Sequence, residues 1–75
     1  MTTTPDTLIQ NAIAANLSAL SQRLAQAADS AKQATDAMSQ GQQNMAIGTI
    51  LQLETILPEA QALFNAAIAL HRGTR

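Results

Sequence analysis

The chain has 75 residues, 47% of them hydrophobic and 12% charged, with a formal net charge of −1. A chain this short forms one domain at most, and its few scattered basic residues and single aromatic residue argue against a nucleic-acid-binding surface. The absence of cysteine and the presence of one histidine argue against a disulfide framework, a metal site or a bound cofactor.

Targeting and membrane signals are also missing from the sequence. The longest apolar stretch without a charge, 60–70, is about half of the roughly 20 residues that a membrane-spanning helix needs. The first residues, MTTTPDT, lack the basic and apolar segments of a signal peptide. We therefore expect no integral membrane span and, by default, a cytoplasmic location, with non-classical secretion left open.

The first predicted helix covers about 5–40, after a disordered segment at 1–4. Thr4 can cap this helix, and Pro5 suits its first position. No proline or glycine follows before Gly41, and apolar residues recur in alternating steps of four and three, which is a heptad pattern. The residues of this stripe are Ile13, Leu17, Leu20, Leu24, Ala27, Ala31, Ala34 and Met38.

Gly41 is the predicted turn, because glycine readily adopts the left-handed conformation that ends a helix. The second predicted helix covers about 44–71, with a loose tail at 73–75. Its main apolar stripe consists of Ala46, Ile50, Leu53, Leu57, Ala60, Phe64, Ala67 and His71, and Ile56, Leu63 and Leu70 form a second row beside it.

Pro58 raises the question of whether the second helix is continuous. The apolar stripe keeps its phase on both sides of Pro58, and the proline lies on the polar side of the helix. We therefore predict one helix that bends at Pro58. The alternative is a third helix that starts with Thr55 as its cap and carries Pro58 in its first turn.

The short turn predicts that the two helices pack as an antiparallel hairpin, in an all-α fold. When the chain is folded about the turn, Ala31 lies opposite Leu53 and Leu24 lies opposite Ala60. Most such pairs set a large side chain against an alanine, as close packing requires. The predicted core of the hairpin is Ile13, Leu17, Leu20, Leu24, Ala27, Ala31, Ile50, Leu53, Leu57 and Phe64.

Apolar residues remain that one hairpin cannot bury, because one helix facing another covers a single stripe. They form the predicted oligomer or partner interface, and they are Ile47, Leu51, Ile56, Leu63, Ile68 and Leu70. Exposed apolar surface of this kind marks an interface. The simplest completion is a dimer of hairpins that forms a four-helix bundle.

No residues form a catalytic constellation. His71 has no nucleophile or orienting acid nearby in the sequence, and its place at the end of the second helix suits a cation near the helix C-terminus. Glu54 and Glu59 lie on different sides of that helix and make a poor carboxylate pair. We therefore predict that the protein is not an enzyme.

The sequence is most typical of a non-enzymatic assembly protein that associates with itself or with another helical protein, as a structural subunit, an adaptor or a small chaperone-like partner. A subunit of a filamentous or secreted assembly is the alternative. SQGQQNMAIG, 39–48, is similar in composition to R-body structural proteins, and the length and hairpin form resemble type III secretion needle subunits and their chaperones, although the chain carries a diagnostic motif of neither. A membrane-surface amphipathic helix ranks lower, because the polar side lacks Lys and Arg.

Overall fold

The computed structural model describes residues 5–73, and every secondary-structure element within them is helical, without a strand. The prediction of an all-α chain is therefore confirmed. The helices are α1 (Pro5–Ser39), α2 (Gln43–Ile50) and α3 (Leu53–Arg72). The predicted disorder at 1–4, the Thr4 cap and most of the predicted tail lie outside the described residues. Gly73 lies within them and caps the end of α3.

A Schellman motif ends α1 and turns the chain. Gly41 has a φ of 76°, in the left-handed region that favours glycine. The backbone N–H of Gly41 donates to the carbonyl of Met38, and that of Gln42 donates to the carbonyl of Ala37, both at 2.9 Å. These two bonds satisfy carbonyls that would otherwise be left free at the end of the helix, and α2 begins immediately after them.

The second helical segment is interrupted at Leu51 and Gln52, seven and six residues before Pro58. Both residues keep right-handed helical angles, with ψ of −23° and −26°. The N–H of Glu54 donates to the carbonyl of Leu51 at 3.0 Å, a bond between residues three apart. The interruption is thus a tightened 3₁₀-type turn. It follows Gly48, Thr49 and Ile50, which all have lower helix propensity than alanine.

Pro58 lies inside α3, so the helix passes through the proline and does not begin there. Neither sequence-based alternative placed the interruption correctly, since it precedes both Thr55 and Pro58. Pro58 has no N–H to donate to the carbonyl of Glu54, and it therefore removes one bond of the helical ladder.

The helix α1 packs against both α2 and α3. Ser30 of α1 contacts Gln52, and Arg23 contacts Glu59. Arg23 precedes Ser30, whereas its partner Glu59 follows Gln52, so α1 and the segment that leads into α3 run in opposite directions. The Cα atoms extend over 58 × 21 × 13 Å, so the helices lie side by side in one thin layer.

Small side chains fill the contact between the helices, which we call the seam. The buried residues of the described chain are Ser30, Ala34, Ala37, Ala46, Ala60 and Ala67, and no large side chain among the described residues is fully buried. Ala34, Ala37 and Ala46 form one cluster, against which Ile50 packs. The backbones can approach closely along this line because little side-chain volume separates them.

Ala46 provides a test of this close approach, since only 2% of its surface is exposed. We expect Ala46→Leu to lower the free energy of unfolding by about 1–3 kcal/mol, because the added methyl groups would force the helices apart. Urea denaturation followed by circular dichroism measures the change. Ala25→Leu is the matched control on an exposed part of α1 and should change stability by less than about 0.5 kcal/mol. Equal effects of both substitutions would contradict a tightly packed seam.

Substitution of Pro58 tests whether the proline lowers the stability of α3. We expect Pro58→Ala to raise the midpoint of thermal unfolding, because alanine restores the N–H that completes the helical ladder and favours the helix intrinsically by up to about 3 kcal/mol. A lower midpoint would instead indicate that the packing of α3 depends on the proline. Far-ultraviolet circular dichroism during heating distinguishes the two results.

Candidate interaction surface

The structure differs from the predicted hairpin core at half of its residues. Ile13, Leu20, Ala27, Ile50 and Leu53 are half-buried, whereas Leu17, Leu24, Ala31, Leu57 and Phe64 are exposed. Leu24 and Leu57 each expose 50% of their surface and Phe64 exposes 49%. The physical reason is the small-residue seam: the helices meet at alanines and a serine, so the large side chains lie beside the seam and not inside it.

The residues of the predicted oligomer interface also divide into two groups. Ile56, Leu63, Ile68 and Leu70 are half-buried within the single chain, whereas Ile47 and Leu51 are exposed. Ile56, Leu63 and Leu70 are spaced seven apart and therefore share one side of α3. Their burial shows that the folded chain itself partly covers this side, so it is less available to a partner than the sequence suggested.

Two grooves run along the exposed large residues. The first has a volume of about 470 Å³ and is lined by Leu20, Leu24, Leu57, Ala60, Gln61 and Phe64. The second has a volume of about 380 Å³ and is lined by Ala31, Ala34, Thr35, Met38, Ala46, Ile47 and Ile50. Neither groove is lined by a charged residue, and only Gln61 and Thr35 contribute polar side chains.

Both grooves lie on the same side of the helix pair. Leu24, Ala31 and Met38 are spaced seven apart on α1, and Leu57 and Phe64 are spaced seven apart on α3. A spacing of seven is close to two helical turns, so each set occupies one side of its helix. We call the surface formed by the residues that line the two grooves the apolar face.

A strip of polar contacts crosses the seam without lining either groove. The guanidinium Nε of Arg23 lies 2.9 Å from a carboxylate oxygen of Glu59, and the hydroxyl of Ser30 donates to the amide oxygen of Gln52 at 3.3 Å. Arg23 and Glu59 expose 41% and 43% of their side chains. Sequence reasoning considered Glu59 only as a poor carboxylate partner for Glu54 and missed these contacts.

The polar contacts lie next to the predicted pairs. The sequence placed Ala31 opposite Leu53, and the structure joins their neighbours Ser30 and Gln52. Arg23 and Glu59 likewise each precede a member of the predicted pair Leu24 and Ala60 by one residue. The sequence signal that could have predicted the Arg23–Glu59 contact was the opposite charge of the two side chains, which a pattern of apolar residues does not consider.

The structure also places the single histidine of the sequence. His71 is exposed in the last turn of α3, together with Arg72. Within residues 5–73 no three His, Cys, Asp or Glu side chains are grouped closely enough to hold a metal ion. None of the helices in this range combines the length and apolar character needed to cross a membrane.

Comparisons with protein families, curated proteins and solved structures find no match for this chain. The apolar face is therefore the feature of the described residues on which a functional interpretation depends.

The Arg23–Glu59 contact can be tested by a double-mutant cycle. We expect a coupling energy of about 0.2–1 kcal/mol between Arg23→Gln and Glu59→Gln, because both side chains are partly exposed to solvent. Urea denaturation at low salt gives the three differences in stability, and the coupling should shrink in high salt. The matched control is Arg23→Gln with Glu54→Gln, which should show no coupling. Coupling of equal size in both cycles would contradict a specific contact.

Proposed function

We propose that this protein is a non-enzymatic assembly protein, in which the antiparallel helix pair acts as a hairpin and covers its apolar face with the same face of a second copy. The proposal depends chiefly on one observation: large apolar side chains stand about half exposed along two uncharged grooves. Contiguous apolar surface of this kind marks interaction sites in soluble proteins.

The thinness of the folded chain supports the proposal. Domains are generally built from two packed layers of secondary structure around one core. The described chain is a single layer whose Cα atoms extend only 13 Å in the thinnest direction. Its buried core consists of alanines and one serine, which contribute little apolar area. A second layer would supply the core that one helix pair lacks, and two pairs make a four-helix bundle.

The dimensions and charge of the face favour a second copy as the partner. Between Leu17 and Met38 the exposed row on α1 extends about 32 Å at 1.5 Å per residue, and the layer is 21 Å wide. An area of this order approaches the roughly 800 Å² per partner of a standard interface. Because neither groove is lined by a charge, the face can meet its own copy without repulsion between like charges.

In this role the protein would serve as a structural subunit or as a small adaptor. A filament built from the same face and a complex with a different helical protein are the other outcomes that the test below distinguishes. The face carries no Lys or Arg, which a surface for anionic lipids favours, so a membrane-surface role has less support.

Mass measurement tests the proposal directly. We expect light scattering after gel filtration to give twice the mass of the chain at micromolar concentration. A cooperatively folded monomer at that concentration would overturn the proposed self-association. A larger or open-ended mass would replace the dimer with a filament.

A pair of variants then locates the interface. We expect Leu57→Glu to weaken dimerisation at least about tenfold, because a buried, unpaired carboxylate costs more than about 1.4 kcal/mol. Leu57 is half exposed in the single chain, so the helix pair should still fold. Thr55→Glu adds the same charge at an exposed residue that lines neither groove and should leave the mass unchanged. Equal dissociation constants for both variants would remove the apolar face from the interface.

A further inference from the structure

The two halves of the apolar face differ in side-chain size. Around the first groove, nearer the ends of the chain, the lining includes three leucines and Phe64, the single aromatic residue of the sequence. Around the second groove, nearer the turn, three alanines and Thr35 line the surface beside Met38, Ile47 and Ile50. The first groove is thus lined mainly by large side chains, and small side chains make up a larger share of the lining of the second groove.

Resting on the self-association proposed above, we infer that the two copies pair with their turns at opposite ends, so that the first groove of each copy covers the second groove of the other. This arrangement sets the large side chains around Phe64 against the alanine-lined groove of the partner copy. Close-packed cores alternate large and small side chains, because two large ones collide and two small ones leave a void. In the parallel arrangement, with both turns at the same end, each groove would cover the same groove of the other copy. Large side chains would then meet large ones, and small side chains would meet small ones.

The two polar side chains of the face each make a hydrogen bond within their own helix. The hydroxyl of Thr35 donates to the carbonyl of Ala31 at 3.0 Å, within α1. The amide of Gln61 donates to the side-chain oxygen of Asn65 at 3.0 Å. Both side chains therefore retain one hydrogen bond when a second copy displaces water, which lowers the cost of covering them.

The two-fold symmetry fixes which residues meet. Copies that lie face to face with opposite directions are related by an axis that runs across the helices, so α3 of one copy covers α2 of the other. Gln61, in the first groove, then lies near Ile47 in the second groove of the partner copy. Within one chain Gln61 and Ile47 are 14 positions apart, or about 21 Å along the helical axis. In the parallel arrangement they remain separated by about that distance between copies.

Thiol crosslinking tests the orientation, and the chain has no native cysteine to interfere. Gln61→Cys and Ile47→Cys are prepared as two separate proteins, unfolded together and refolded as a mixture. A bis-maleimide whose reach is well below 21 Å then links thiols that lie close together. We expect the mixture to give crosslinked dimers that join position 61 to position 47, as identified by peptide mass spectrometry. Gln33→Cys, an exposed residue that lines neither groove, is the control and should give no dimer with either variant.

The results separate this inference from the function on which it rests. If both proteins have a dimeric mass but only links between identical positions form, the antiparallel orientation is wrong and the proposed dimer stands. If the unsubstituted protein is a monomer and no variant crosslinks, the proposed self-association fails first. Links from position 33 as abundant as those between 61 and 47 would show random collision and would also overturn the orientation.

Discussion

The close approach of two helices along small side chains is the constraint on which the rest of the structure depends. Ser30, Ala34, Ala46 and Ala60 leave little volume between the backbones, so the helices meet without large residues in the seam. Leucines and Phe64 on neighbouring positions are then displaced to one side. The same choice of small residues thus creates both a narrow contact between the helices and an exposed apolar face.

The polar contacts across the seam contribute more to alignment than to stability. Arg23 and Glu59 are too exposed for their ion pair to add much free energy. Nevertheless, the Arg23–Glu59 and Ser30–Gln52 contacts pair positions seven residues apart on both helices, and both require the same register. An alanine seam alone would specify register weakly, since one alanine resembles the next, and the polar pairs reduce that ambiguity.

Much of the fold followed from local signals in the sequence. Pro5 begins α1, Gly41 lies in the turn with a positive φ, and the helical pattern continues through Pro58 because the proline does not interrupt the apolar phase. The interruption at Leu51 was not predicted, because the residues before it weaken a helix without breaking its pattern. The polar contacts beside the seam were missed, because ranking positions by hydrophobicity excludes Arg23 and Ser30 from any contact between helices.

The exposed residues of the predicted stripe have an explanation in the proposed bundle. A helix in a four-helix bundle contacts two neighbours, and its apolar surface therefore faces midway between them. In the predicted stripe of α1, Leu20 is half-buried and Ala34 is buried, whereas Leu17 and Leu24 are exposed. A sequence selected to fold as one hairpin would need only the first set. The presence of both sets at heptad spacing is what a second layer of helices would require.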